Sequence, residues 1–181
     1  MKDLSLHILD IAQNSIAAGA SHINILMREE LHSNRFIIEI NDNGCGMSNE
    51  MLERITDPYF TTRTTRKVGL GIPLLKQNAE ATGGTLTITS QPGKGTSLLA
   101  TFGHMHIDRP PLGDIAGVVV LLSGANPNIR FTYMHQVENE QYWFDTFEVL
   151  EILDGLPISD IRVAQILKEM INENLEAIKA R

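Results

Sequence analysis

Paired glycines interrupt the first hundred residues of the chain at four places, and they constrain the fold more than any other feature. The pairs are Gly44 with Gly46, Gly69 with Gly71, Gly83 with Gly84, and Gly93 with Gly95. Glycine reaches backbone conformations closed to other residues, so each pair marks a tight turn or a close approach of the backbone to something else. An apolar, strand-like segment precedes the first pair, and a helical pattern follows the second.

The segments between these glycines alternate between helical and strand periodicity. We predict a helix over 3–18, strands over 22–28 and 36–41, a short helix over 48–55, a helix over 69–81, and a hairpin of strands 85–91 and 96–106. Ser48 is the expected cap of the short helix, since a serine oxygen accepts a hydrogen bond from a free N–H group of the first turn.

Two consecutive prolines, Pro110 and Pro111, mark the predicted boundary between a domain of residues 1–108 and a small extension, 109–181. We expect the extension to be a separate unit. Its predicted elements are a helix over 114–123, a hairpin of strands 130–137 and 142–145, and helices over 147–154 and 159–179. The run Val118-Val119-Val120 would equally suit a strand.

Charge and cysteine content narrow the classes of function. The 181 residues carry a net charge of −7, which argues against a general nucleic-acid or anionic-membrane binder. Cys45 is the single cysteine, so it cannot form an internal disulfide. The sequence has neither a signal-peptide pattern at its start nor an apolar run long enough to span a bilayer, and we expect a cytoplasmic protein.

A polar stripe follows one face of the first predicted helix. Asp3, His7, Asp10 and Asn14 recur at spacings of three and four residues, which aligns them along that face. A further carboxylate, Asp42, stands where the second strand runs into the first glycine pair. Together with the glycine turns, this set indicates a site that holds phosphate and recognises a base.

The run Gly69-Leu70-Gly71 is a candidate phosphate-binding turn, because it opens a helix. The free N–H groups and positive dipole end of a helix N-terminus attract phosphate oxygens. Taken singly, the run is equally compatible with glycines that merely make a tight turn into the helix.

The order of these motifs resembles the catalytic domain of sensor histidine kinases, in the Bergerat or GHKL ATPase superfamily. The resemblance covers residues 4 to 103. It rests on Asn14, Asp42-Asn43-Gly44-Cys45-Gly46-Met47, Asp57-Pro58-Tyr59-Phe60-Thr61-Thr62-Arg63, Gly69-Leu70-Gly71-Ile72, Gly83-Gly84 and Pro92-Gly93-Lys94-Gly95-Thr96. It implies an α/β (α+β) two-layer sandwich, here with a small α+β extension, and it implies ATP and Mg²⁺ as ligands.

The same resemblance implies the residues that bind the nucleotide. They are Asn14, Asp42, Gly44, Gly46, Met47, Thr61, Thr62, Arg63, Lys67, Gly69, Leu70, Gly71 and Thr96. Asp42 would accept a hydrogen bond from the adenine amino group and reach the ring N1 through a water that Thr96 helps to hold. Gly46 would let the backbone approach the ring.

The catalytic roles fall on the first helix. Asn14 would place its amide oxygen on Mg²⁺, which prefers oxygen ligands. Asp10, one turn earlier, would orient or deprotonate the attacking water or hydroxyl, although related ATPases usually carry the longer glutamate there. The alternative for Asp10 is a polar residue that only holds water near the metal.

The basic loop over 57–68 corresponds in this resemblance to the lid that closes over ATP. Its Arg63, Arg66 and Lys67 would neutralise the β- and γ-phosphates on closure. The alternative is an exposed basic loop that contacts solvent or a partner.

Three other features suggest chemistry less strongly. A metal site of His104, His106, His135 and Cys45 is weakly supported, and ordinary surface or core histidines fit better. His7 is a candidate phosphoacceptor, but a polar neighbour of the nucleotide is the better interpretation. Cys45 fits as a small residue within a glycine turn.

Two functions remain open after a third is set aside. In the first, a stand-alone kinase phosphorylates a histidine or serine of an unidentified partner; in the second, ATP gates an interaction surface formed by the extension. A clamp-type ATPase would need an arm and a further domain for which the chain is short. The apolar stripe Leu167, Met170, Ile171, Leu175 and Ile178 predicts packing within the chain, or alternatively a partner or homodimer surface.

Overall fold

The computed structural model of the chain describes residues 2–55 and 71–180. Its helices are α1 (Leu4–Ala17), α2 (Asn49–Arg54), α3 (Gly71–Ala81), α4 (Ile115–Ala125), α5 (Thr146–Leu153) and α6 (Ile161–Ala177). Its strands are β1 (His22–Glu30), β2 (Arg35–Asp42), β3 (Leu86–Gln91), β4 (Gly95–Gly103), β5 (Arg130–Val137) and β6 (Glu140–Asp145). None of the helices in these two ranges is long and apolar enough to cross a bilayer.

The six described strands form one mixed sheet in the order β3-β4-β2-β1-β5-β6. Strand β1 pairs antiparallel with β2 and parallel with β5. The remaining pairs, β2 with β4, β3 with β4 and β5 with β6, are antiparallel. The parallel pair is therefore the seam along which the last third of the chain joins the rest.

The core lies between the sheet and a layer of helices. Alternate residues of β1, namely Ile23, Ile25 and Met27, are buried, as expected for a strand with one face covered. Helices α1, α3, α4 and α6 all contribute to the same apolar cluster. The predicted α+β two-layer sandwich is confirmed.

The extension is not a separate unit, and this prediction from the two prolines is wrong. Residues 130–137 of β5 pair in register with residues 22–29 of β1, and α4 packs on both α1 and α6. The physical reason is the edge of β1, whose backbone N–H and C=O groups need partners that β5 supplies. The prolines lie in a connection that is itself bound to α1.

Asp3 caps helix α1, because its side chain accepts a hydrogen bond from the Leu6 N–H at 3.0 Å. The Leu4 N–H donates to the Pro111 carbonyl and the Ser5 N–H to the Leu112 carbonyl, each at 2.9 Å. These contacts use N–H groups that no turn of α1 can satisfy. The start of α1 is therefore fastened to the segment that leads into the extension.

Most predicted elements are present. One difference is that strand β4 ends at Gly103, not at His106, because the chain turns there and the His106 N–H donates to the Gly103 carbonyl at 3.2 Å. The helix predicted over 114–123 is confirmed as α4, which contains the valine run; Asp114 caps this helix by accepting from the Gly117 N–H at 2.9 Å. The predicted cap at Ser48 is confirmed, since its side chain accepts from Met51.

Candidate nucleotide-binding site

Asp42 stands at the end of β2, and its carboxylate is held from two sides. Ser15 Oγ donates to one oxygen at 2.6 Å, and the Gly44 N–H donates to the other at 2.9 Å. Each carboxylate oxygen has more than one acceptor site, so this half-buried group is oriented and still able to accept from a ligand. Thr96 lies directly opposite Asp42 across the β2–β4 pair.

The first glycine turn is fastened to the β3–β4 hairpin. The Cys45 carbonyl accepts from the Gly93 N–H at 2.7 Å, and the Met47 N–H donates to Ser90 Oγ at 2.8 Å. Gly46 has φ +67°, and a Cβ at this position would overlap the Gln91 carbonyl. Packing of the turn on the hairpin therefore requires glycine at 46, a reason separate from the approach to a base that the sequence suggested.

The turn between β3 and β4 shows the same requirement at Gly95, which has φ +105°. A Cβ there would overlap the carbonyl oxygen of Asp42. The hairpin backbone is thus pressed against the strand end that carries the carboxylate, and the two glycine turns and Asp42 form one continuous assembly.

Asp10 lies against the first residue of α3. A Cβ added at Gly71 would overlap the Asp10 carboxylate, so glycine is the residue that lets this side chain and the helix start come together. Asp10 and Asn14 are half-buried, one turn apart on α1, while Gly71 is buried. The structure therefore brings the α1 polar residues to the start of the helix that the sequence associates with phosphate.

The other two members of the polar stripe, His7 and Asp3, make contacts within the fold. His7 is fully buried, and its Nε2 lies 3.1 Å from the Asn78 side-chain nitrogen of α3. Burial lowers the pKa of His7, against the opposing influence of a backbone hydrogen bond with Gly71 and of the Asp10 and Asp3 carboxylates, and so favours the neutral imidazole. Asp3 serves as the helix cap, so Asp10 and Asn14 are the members of the stripe to which the sequence assigns roles in the site.

This geometry agrees with a family model. Residues 2–106 match the model described as histidine kinase-, DNA gyrase B-, and HSP90-like ATPase, which is more than half of the chain. The chain belongs to this ATPase family. Its matched part is a histidine-kinase-like ATP-binding domain, and the resemblance noted from the motifs is confirmed.

Relatives of the ATPase domain include bacterial sensor proteins. The chain is 33% identical over 92 residues to the sensor protein DegM of Bacillus sp., covering 51% of this chain and 24% of the relative. It is 30% identical over 110 residues to the sensor histidine kinase YxdK of Bacillus subtilis, covering 56% and 33%. It is 29% identical over 105 residues to the autoinducer sensor kinase/phosphatase CqsS of Vibrio cholerae, covering 58% and 15%.

The chain thus spans at most about a third of the length of these relatives. Among solved structures, the N-terminal domain of a DNA repair protein superposes with a TM-score of 0.55 at 18% identity, covering 79% of this chain and 52% of that one. At this identity the similarity concerns the fold alone.

Several predicted ATP contacts lie outside the described residues. They are Thr61, Thr62, Arg63, Lys67, Gly69 and Leu70, together with the rest of the proposed lid loop. The predicted site residues that lie within the described part of the chain are Asp10, Asn14, Asp42, Gly44, Gly46, Met47, Gly71 and Thr96.

Two of the histidines that the sequence offered as a weak metal site, His104 and His135, form a different arrangement. Glu29 accepts from both neighbours: its carboxylate lies 2.6 Å from His104 Nε2 and 2.8 Å from His135 Nε2, and all three side chains are buried. Tyr133 Oη lies 2.8 Å from His135 Nδ1. Within residues 2–55 and 71–180 no three His, Cys, Asp or Glu side chains are placed to hold a metal ion.

Sequence reasoning missed three polar side chains that hold the backbone and the carboxylate of the candidate site in place. Ser15 fixes the Asp42 carboxylate, Ser90 receives the Met47 N–H, and Asn43 accepts from the N–H groups of Ser21 and His22 at 2.9 Å each. Asn43 lies within the motif that begins at Asp42, and Ser15 directly follows Asn14. Their partners lie 21 to 43 residues away for these bonds, which local patterns do not reveal.

Proposed function

We propose that the chain binds ATP with Mg²⁺ and uses it to phosphorylate, or otherwise regulate, a separate protein partner in a signalling role. The adenine end of the nucleotide would lie at Asp42, with Gly44, Gly46, Met47 and Thr96 around it. The fit is favourable because the carboxylate is already oriented by Ser15 and Gly44 and keeps acceptor sites for the adenine amino group.

The metal and phosphates would lie between α1 and α3. Asn14 offers an amide oxygen of the kind that Mg²⁺ prefers, and the start of α3 offers N–H groups for phosphate oxygens. Bound Mg²⁺ would neutralise charge on the phosphate oxygens. Thr61, Thr62, Arg63, Lys67, Gly69 and Leu70 are proposed to complete this end of the site.

The single observation that carries the catalytic proposal is the contact between Asp10 and Gly71. An aspartate is one methylene shorter than the usual glutamate, so the catalytic role requires its backbone to lie closer to the phosphates. Contact with the first residue of α3 supports a sufficient reach, because this helix start is where the phosphates would be received. Asp10 would then orient the attacking hydroxyl or water and accept its proton.

A second candidate, ATP gating of the extension without phosphoryl transfer, has its own supporting observation. Helix α1 carries Asp10 and Asn14 and is also fastened at its start to the carbonyls of Pro111 and Leu112. It packs on α4 as well. A shift of α1 on nucleotide binding would therefore be passed to the extension, which is the kind of two-state contact that gating requires.

Comparing phosphate release from ATP by the native chain and by the Asp10→Asn variant distinguishes phosphoryl transfer from gating. If Asp10 is the catalytic base, the variant should bind ATP like the native chain and release phosphate about a hundredfold more slowly. Equal release by both proteins would contradict the catalytic role. Absence of release from both, together with an ATP-dependent change in hydrogen exchange of α4, would establish the gating alternative.

A further inference from the structure

Helix α5 is far more apolar than its exposure warrants. Five of its eight residues are large and apolar. Val149, Leu150 and Leu153 are half-buried against the core, whereas Phe147 is 44% exposed and Ile152 is 82% exposed. The helix therefore carries large apolar side chains outside the face that packs on the core, as a helix covered on a second side would.

Exposed apolar side chains continue beyond the end of α5. Leu156 is 55% exposed, and Ile161, at the start of α6, is 85% exposed. We call Phe147, Ile152, Leu156 and Ile161 the α5 surface. Single exposed apolar residues need no explanation, but four within fifteen consecutive positions, 147 to 161, indicate an interaction site.

The packing needs of the extension are met elsewhere. On α6, Leu167, Ile171 and Leu175 are buried, which confirms the prediction that this stripe packs within the chain. The exposed residues of the α5 surface are therefore not required to close the core of this chain.

The charge around the α5 surface is predominantly negative. From Glu138 to Asp160 the sequence contains seven acidic residues and no lysine or arginine. Glu148, Glu151 and Asp154, which intersperse the apolar residues, are exposed. The neighbouring Arg130 pairs with Asp145 and lies over the Phe147 ring, 5.7 Å from its centroid. With Arg130 and Arg162 added to the same stretch, its net charge is still −5.

This charge decides between the possible occupants. A second copy of the chain, related by a two-fold axis, would place the same acidic residues against each other, which is unfavourable. Nucleic acids and anionic membranes would be repelled in the same way. A protein segment that combines apolar side chains with lysines or arginines complements both the apolar residues and the charge.

We propose that the α5 surface docks a basic amphipathic helix of a separate protein partner. The inference rests on the proposed function, which includes a separate protein partner, and specifies the chemical class of that partner. It depends on neither the phosphoryl-transfer nor the gating alternative. The apolar face of the partner helix lies on Ile152 and Leu156, and its basic residues face Glu148 and Glu151.

The test uses the full chain and a fluorescent peptide of about eighteen residues, in which leucines and lysines are spaced so that they fall on opposite faces of a helix. We expect the peptide to bind, and a leucine–glutamate peptide of the same pattern not to bind. The variant Glu148→Lys/Glu151→Lys should weaken binding about tenfold, and Ile152→Ser by a similar factor. Glu173→Lys/Glu176→Lys, which changes two exposed acids of α6 by the same charge, should leave binding unchanged.

Three results would overturn the proposal: equal weakening by the two charge-reversal variants, equal binding of both peptides, or a native dimer in sedimentation equilibrium that Ile152→Ser dissociates. The last result would assign the surface to a second copy. ATP titration of the same samples keeps the two proposals apart. Peptide binding without ATP binding would remove the proposed function while leaving the docking surface in place.

Discussion

The ATPase domain and the extension share one sheet but are stabilised differently. Around Asp42 the chain is fixed by hydrogen bonds and by glycines whose replacement would bring atoms into overlap. The extension is joined through the β5 backbone and through apolar packing of α4 and α6, and it leaves apolar side chains of α5 exposed. The difference suggests that the first region is built around a small ligand of defined shape, whereas the second offers a surface to a larger one.

The largest effect should come from adding a methyl group to the fixed backbone near Asp42. Gly95→Ala should destabilise the fold by about 4 kcal/mol, because its Cβ would overlap the Asp42 carbonyl. Gly93→Ala is the matched control: its φ is also positive, at +75°, but nothing lies within 4 Å of the added atom. It should cost about 1 kcal/mol, the backbone strain alone. Urea unfolding measures both, and equal losses would contradict the packing account.

The next largest effect concerns the joint between the two regions. Glu29→Ala would leave His104 and His135 buried without their shared carboxylate, and we expect a loss of about 3 kcal/mol. Glu30→Ala, one residue away, removes a carboxylate that pairs with Arg35 at the surface and should cost less than about 1 kcal/mol. If the two variants unfold at the same urea concentration, the buried cluster does not hold the regions together.

A smaller, pH-dependent effect is expected from His7. Because burial lowers its pKa in the folded state, the unfolded chain binds more protons as the pH falls through the ordinary histidine value of about 6.5. Stability attributable to this group is therefore complete above that pH and declines below it. The decline between pH 7 and pH 5 in thermal unfolding should be shallower for His7→Gln than for the native chain. Parallel curves would show that His7 does not contribute.

The smallest effect should come from the α5 surface. Ile152→Ala should change the free energy of unfolding by less than about 0.5 kcal/mol, since Ile152 is mostly exposed. Ile171→Ala removes the same atoms from a fully buried position of α6 and should cost about 3 kcal/mol. A large loss for Ile152→Ala would mean that α5 is needed for the fold and is not available as a docking surface.

Local patterns in the sequence were sufficient for the elements of both regions. The caps at Ser48 and Asp114 and the strand that ends at Asp42 follow from short-range rules. The pairing of β1 with β5 and the contacts of Glu29 join residues 75 to 108 positions apart, which periodicity cannot reveal. The two prolines misled because they prevent a strand locally but do not prevent the chain from returning to the same sheet.

The measurement that tests the central claim most directly is calorimetric titration of Mg-ATP into the native chain and Asp42→Asn. An asparagine presents N–H donors where the adenine amino group needs an acceptor, so binding should weaken at least about a hundredfold. Glu39→Gln, a charge-matched change on the same strand, should bind ATP like the native chain. No binding by the native chain, or equal binding by Asp42→Asn, would contradict the assignment of this site to ATP.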